Sequence, residues 1–169
     1  MKNLACIGVA IVWGGCLRQS LEPYVWGLPE QVPIPAVPEN NPMSHAKVEL
    51  GRHLFYDPRF SISGTTSCAT CHQQALAFSD GLASAEGDTG EFTPKSALSL
   101  TNVGYNSRLM WAQPLVDELS KQALLPMLNE DPVEMGVTDA LMTSILAEFK
   151  ISELYAPMFE SAILGFATS

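Results

Sequence analysis

Cysteine and histidine are scarce in this 169-residue chain, four of the first and three of the second, and neither occurs after His72. A structural zinc site needs a second pair of Cys or His ligands at suitable spacing, and only His45 and His53 remain, both upstream. Basic residues are also sparse: nine Lys and Arg stand singly against eighteen Asp and Glu, for a net charge of −9. That balance argues against nucleic acid or anionic lipid as a partner and suits a soluble body. No stretch alternates apolar and polar residues as a half-buried strand does, and no internal repeat occurs. The βαβ pattern that surrounds a thioredoxin-like dithiol is therefore missing. The one sustained apolar run, residues 4–15, is shorter than the about 20 residues a permanent membrane span needs.

Against these absences stands Cys68-Ala69-Thr70-Cys71-His72. Two cysteines three apart followed directly by histidine form the attachment signature of c-type haem. One helical turn puts both thiols on one face, where they form thioethers with the haem vinyl groups, and the adjacent imidazole reaches the iron from one side.

The amino terminus supplies an address for such a motif. Met1-Lys2-Asn3 is a short positive region, the apolar run follows, and it ends in Gly14-Gly15-Cys16, so residues 1–16 read as an export signal. The small residues before Cys16 resemble the lipobox of bacterial lipoproteins, with Trp13 where that pattern usually has Leu; ordinary cleavage nearby is the alternative to a lipid anchor on Cys16. The expected location is the periplasm, free or membrane-anchored. Loss of the signal leaves Cys68 and Cys71 as the only thiols, both committed to haem, so core and cofactor must stabilise the domain without disulfides.

The mature chain of roughly 150 residues is one domain's worth. Residues 17–42 read as a tether: Pro29, Pro33, Pro35, Pro38 and Pro42 remove amide donors and fix φ, excluding helix and central strand. The domain proper is residues 43–169. Helical patterning starts at Ser44, a candidate N-cap, and runs through Ala46, Val48, Leu50 and Leu54 to Phe55, where Asp57-Pro58 stops it. A loop over 61–67 leads into a short haem-attachment helix. Residues 73–99 are rich in Gly, Ser, Thr and Asp without apolar periodicity, a length of loop uncommon without a ligand to wrap. After Pro114, Leu115, Leu119, Gln122, Ala123 and Leu124 predict a helix ended by Pro126. Another spans 138–149, with Thr138 as N-cap and Leu141, Ile145, Leu146 and Phe149 as its buried stripe; a last one starts near Ser152. The expected fold is all-α, a cytochrome c-like haem domain with long loops.

Several motifs, in one order, carry a resemblance. Leu50-Gly51-Arg52-His53-Leu54-Phe55-Tyr56-Asp57-Pro58-Arg59, the Ser-Cys-Ala-Thr-Cys-His run, Ala77-Phe78-Ser79-Asp80-Gly81 and residues 122–136 look like the bacterial di-haem cytochrome c peroxidase family, including its MauG-type branch. Trp111-Ala112-Gln113-Pro114 and Asp131-Pro132-Val133-Glu134-Met135-Gly136 resemble a subgroup of di-haem enzymes. The match runs from residue 42 to about 160 and corresponds to the family's amino-terminal domain, whose haem reacts with peroxide.

The resemblance implies roles residue by residue. Cys68 and Cys71 hold the haem, and His72 is its proximal iron ligand. Gln122, Pro126 and Glu134 fall in the distal pocket, and Trp111 falls near the tryptophan that bridges the two haems, one residue out of register. Heterolysis of peroxide needs a group that takes a proton from the inner oxygen and returns it to the outer one, work a carboxylate over the iron can do. Glu134 is thus the candidate acid–base, Gln122 a candidate holder of peroxide, and Pro126 a wall of the pocket. The plainer readings stand beside these: Glu134 a solvated loop acid, Gln122 an exposed helix residue, Trp111 a core residue.

The chain also departs from the family's pattern. The loop that commonly carries a distal histidine corresponds to residues 85–94, which contain none; Asp88 is nearest in register. The iron is therefore expected to stand open to hydrogen peroxide without reductive activation, as in the MauG-type branch. Ser96 stands near the usual calcium-ligating asparagine, so the family's bridging calcium is left unassigned. A second Cys-x-x-Cys-His is missing, and the expectation is a fragment of a longer di-haem reading frame rather than a one-haem protein. Electrons are expected from a small donor protein, a cytochrome c or cupredoxin, or from an oxidised protein substrate. An acidic surface can steer a basic donor. The competing function is a mono-haem electron carrier with Met127 or Met135 as second axial ligand, which binds no substrate at iron.

Overall fold

The computed structural model describes residues 24–110 and 116–167. The export signal, Cys16 and Trp111 lie outside the described residues. The chain divides into two compact units, one of residues up to Arg52 together with Ile151–Ser169, the other His53–Lys150.

In the first unit, residues 24–42 form neither helix nor strand, as their prolines dictate, and turn twice, where Val32 N bonds Pro29 O and Asn41 N bonds Pro38 O. Tyr24 packs edge-on against Trp26 and lies 5.0 Å from the His45 ring, which gives that histidine a packing role. Helix α1, His45–Tyr56, begins where expected: Ser44 is buried and its Oγ accepts the amide of Lys47. Leu50, Tyr155 and Ala162 are buried in this unit, the last two on helix α6, Tyr155–Ala167. Ser152 caps α6 one turn before its start, accepting from Leu154 N and Tyr155 N.

The second unit holds the attachment motif. Asp57 stops α1 by capping a 3₁₀ turn, Pro58–Phe60, through Arg59 N, and Pro58 enters where its missing donor is not needed. Helix α2 is the single turn Cys68–Cys71. Helices α3, Leu119–Gln122, and α4, Leu124–Leu128, replace the one helix expected to end at Pro126. Proline acts one turn earlier than expected. Its ring excludes the carbonyl four residues back, so α3 ends at Gln122, and Pro126 itself sits in the first turn of α4, where an amide would be orphaned.

Helix α5, Asp139–Ile151, carries the core of this unit. Thr138 Oγ1 caps it by accepting Leu141 N at 3.2 Å. Ile145 and Phe149, one turn apart, are 2% and 1% exposed. Leu146 is not part of the stripe: at 43% exposure it faces solvent, because Ile145 and Phe149 take the buried face and the next residue is turned about 100° away. Phe149 meets Phe60 edge-on at 5.6 Å, and the Arg59 guanidinium lies 4.6 Å over its ring. Arg59 is steered there by Asp57, whose buried carboxylate receives Nε at 2.9 Å. Ala85, Leu109, Met135 and Val137 complete the buried apolar set. Among the described residues no strand forms; isolated bridges at Gln73 with Ser79, Glu86 with Phe92 and Glu130 with Val133 tie the loops. The fold is all-α and cytochrome c-like.

Candidate functional site

Helix α2 is too short to persist alone, and its neighbours hold it. Ser67 N donates to Thr70 Oγ1 at 3.0 Å, and His72 N closes the turn on Cys68 O at 2.9 Å. Both thiols are half-buried. Burial pushes the Cys68 thiol up. Burial also raises Cys71, with the Asp80 and Glu134 carboxylates and Cys68 adding to it. A redox dithiol works through a depressed thiol, which neither of these is.

The imidazole of His72 is oriented by a main-chain group. Its Nδ1 donates to Phe78 O at 2.9 Å, which leaves Nε2 with a free lone pair for iron. Phe55 flanks the ring at 6.4 Å. The acceptor is set by unusual backbone: Ala77 and Phe78 both lie in the left-handed region, φ 55° and 58°, and neither is glycine. Two such residues cost of order 1–3 kcal/mol each and persist only where neighbours hold them. Here Phe78 N donates to Gln73 O, Gln73 N to Ser79 O and Leu100 N to Phe78 O, while Ser99 Oγ and Thr101 Oγ1 both donate to Ala77 O.

Glu134 sits on the loop between α4 and α5 and is fixed by main-chain bonds on several sides. Its carbonyl accepts Asp88 N at 2.7 Å, Val133 N donates to Glu91 Oε2, and Met135 N donates to Pro126 O. Met135 O accepts Ile62 N, Val137 N reaches Met127 O, and Asn129 Nδ2 holds Pro132 O across the cis Asp131–Pro132 peptide. The loop thus joins Pro126 to Met135, the residue after Glu134, and reaches Gln122 only through the adjoining helix. Gly87 lets this loop approach, since a Cβ there would stand 2.0 Å from Val133 O. The Glu134 carboxyl is half-buried; burial raises it above the ordinary range, and the nearby His72 offsets part of that rise.

Asp88, the residue nearest the place of a distal histidine, is engaged elsewhere. Its carboxylate accepts Ser63 N at 2.7 Å and Ser63 Oγ at 2.6 Å, so it clasps the loop before α2 to the Glu134 loop. Burial alone would raise it, but hydrogen bonds from Ser63, Thr66 and Ser61 outweigh burial and hold it below the usual carboxylate range. Met135, one of the two methionines considered as an iron ligand, is buried. No group of three or more His, Cys, Asp or Glu side chains is arranged to hold a metal ion among the described residues.

The clasp at Asp88 and the hydroxyls of Ser99 and Thr101 escaped the sequence reading. Gly87-Asp88-Thr89-Gly90 is a turn signal, and Ser99-Leu100-Thr101 repeats a hydroxyl at the spacing that puts alternate side chains of an extended chain on one side. Neither pattern names its distant partner.

Does a haem fit these residues? Two thiols one turn apart and an imidazole whose Nδ1 is committed to Phe78 O, leaving Nε2 for iron, match the group's chemistry. The fold and this donor set define a c-type haem domain. Residues 45–167 match the family described as di-haem cytochrome c peroxidase, and the chain belongs to that family. Among relatives, it is 37% identical over 134 residues to the methylamine utilization protein MauG of Methylorubrum extorquens, covering 79% of this chain and 35% of that one. It is 35% identical over 116 residues to the cytochrome c551 peroxidase of Nitrosomonas europaea, covering 68% and 33%. Among solved structures, a MauG-like protein associated with microbial copper homeostasis superimposes with a TM-score of 0.80 at 42% identity, covering 85% of this chain and 41% of that one. The chain thus spans about a third to two fifths of the length of the relatives it matches.

Proposed function

We propose that this chain is the peroxidatic haem c domain of a periplasmic oxidoreductase that reduces hydrogen peroxide, drawing electrons from a small donor protein or from a protein substrate that it oxidises. The observation that carries the reading is the Glu134 carboxyl, half-buried and raised above the ordinary range by that burial, within electrostatic reach of His72 and fixed by main-chain bonds in a chain of this family. Export by residues 1–16, with a lipid anchor on Cys16, would deliver the domain, followed by the 17–42 tether and the 43–169 haem domain.

In this reading Cys68 and Cys71 would hold the haem through their sulfurs, and His72 would bind its iron through Nε2. The haem, when bound, supplies the iron that takes peroxide and passes electrons. Glu134 accepts the proton of the inner peroxide oxygen on a carboxylate oxygen and returns it to the outer oxygen, which leaves as water. Two electrons and two protons convert one peroxide into two waters. Burial suits the carboxyl to both halves of that transfer, because an acid–base group works best when its pKa lies near the working pH. Pro126, whose carbonyl holds Met135 N, shapes the wall beside Glu134 without offering a donor. Gln122, at the end of α3, would hold peroxide through its amide, and Trp111 is proposed as a path for electrons. The electron-carrier alternative is not the one the relatives favour, since they are peroxidases and MauG proteins by name.

The test is to express the chain with c-type haem maturation machinery and record ferric absorption and EPR spectra before and after peroxide. A high-spin ferric signal that responds rapidly supports the reading, and Glu134→Gln should slow the response about 10²–10⁴-fold. The rate should rise with pH through the raised Glu134 value, since the carboxylate is the proton acceptor. A low-spin, methionine-ligated spectrum indifferent to peroxide overturns it.

A further inference from the structure

We infer that Ser99 and Thr101 are positioning residues for the proximal imidazole: their hydroxyls lock the turn that aims the Phe78 carbonyl at His72 Nδ1. The inference rests on the proposal above that His72 ligates the haem iron. Its geometry is local and belongs to one compact unit. The His72 Nδ1 to Phe78 O distance of 2.9 Å exists only because the peptide between Phe78 and Ser79 is turned toward the ring. That orientation follows from two consecutive left-handed residues, Ala77 and Phe78, whose Cβ atoms disfavour it. Left alone, the pair would relax to ordinary negative φ and carry the carbonyl away.

The Phe78 N bond to Gln73 O holds the turn at its start, and the strap of residues 99–101 holds its carbonyls against relaxation. Ser99 Oγ donates to Ala77 O at 2.6 Å and Thr101 Oγ1 donates to the same oxygen at 3.1 Å. Between them Leu100 N reaches Phe78 O at 3.3 Å, so consecutive carbonyls of the strained pair are both held from one strand of chain. The strap is itself braced, because Thr101 N donates back to Ser99 Oγ at 3.2 Å. Two hydroxyls on one carbonyl satisfy both of its lone pairs, which neither solvent nor a single side chain does with fixed direction.

The consequence reaches iron. A ligating imidazole that donates its other N–H to a fixed carbonyl is a stronger base toward the metal, and loss of such a partner typically weakens metal affinity or activity by about 10–100-fold. Stronger donation favours the ferric state. The strap therefore holds the midpoint potential low and the iron–histidine bond strong.

The experiment uses the full-length haem-loaded protein with Ser99→Ala and Thr101→Val combined. Resonance Raman spectra of the ferrous form should show the iron–histidine stretch moved to lower frequency, and the midpoint potential should become more positive. Ser99→Thr and Thr101→Ser, which keep a hydroxyl, should match the parent in both. Adding Ala77→Gly to the double variant should restore both readings, because glycine holds a positive φ without strain. If the double variant takes up no haem, the single Ser99→Ala and Thr101→Val proteins are read by the same two measurements. A loss of thermal stability with stretch and potential unmoved makes the hydroxyls merely structural and overturns the inference. A parent protein with covalent haem but no iron–histidine stretch refutes ligation by His72 and takes the strap's role with it, whereas a parent that shows the stretch isolates any later failure to the strap.

Discussion

Gly87→Ala is the sharpest perturbation available to this site. The added Cβ would stand 2.0 Å from Val133 O and 3.1 Å from Glu134 Cα, both backbone atoms with no rotamer to yield. Ordinary contact begins at 3.4 Å, so the Glu134 loop or the Gly87 turn must retreat by about 1 Å or more. Retreat breaks the Asp88 N bond to Glu134 O and strains the Gly87 N bond to Glu91 O, both 2.7 Å in the parent. Two weakened hydrogen bonds at about 1 kcal/mol each, with overpacking of about 1–3 kcal/mol, give a loss of roughly 3–5 kcal/mol. For a chain of this size that is a drop in Tm of roughly 6–20 °C, read by far-ultraviolet circular dichroism on the haem-loaded protein. A misplacement of about 1 Å at a reacting group costs on the order of 10²-fold in rate, so the peroxide response in stopped flow should fall by that much while the haem spectrum before peroxide stays unchanged. A Gly87→Ala protein with parental Tm and parental peroxide rate would refute the view that this close approach sets the place of Glu134.

Two further changes test the same frame. Asp88→Ala should cost about 1–2 kcal/mol in denaturant unfolding by releasing two charge-assisted bonds from Ser63, a partly exposed pair. Because the folded carboxyl lies below its ordinary value, the stability it contributes is present above the ordinary carboxylate range and is lost as pH falls through the lowered value; parent and variant should converge there, and a gap that persists at low pH would contradict the assignment. Phe149→Ala should cost about 3–5 kcal/mol, whereas Leu146→Ala, on the exposed side of the same helix, should stay within about 0.5 kcal/mol; comparable losses at both would restore the wider stripe.

What the sequence made legible was local. Ser44 and Thr138 announce helix starts because a short hydroxyl caps its own helix, and Asp57-Pro58 announces a stop for equally local reasons. The Cys68-to-His72 run encodes its chemistry in its spacing. Leu146 falls outside the buried stripe because periodicity gives a helix face without its width, and the width depends on what α5 meets. The α3–α4 break was misplaced by one turn because proline excludes the carbonyl behind it. Hardest to read were Asp88, Ser99 and Thr101. Each acts through a single hydrogen bond or pair of bonds to backbone far along the chain, and a main-chain partner leaves no trace in residue type. The length of the 73–99 loop suggests a ligand to wrap, yet the order seen in it comes from such contacts rather than from any periodic pattern.

The loop that carries Glu134 is held almost entirely through peptide groups, at Val133 N, Glu134 O, Met135 N and Met135 O. Position 134 is thereby a socket whose walls do not depend on what is plugged into it. Such a socket can exchange a carboxylate for an amide, a hydroxyl or an imidazole while the scaffold keeps its shape. A lineage with this arrangement can vary the reaction at one side chain without first finding a compensating change in the fold, and an engineer can do the same by a single codon.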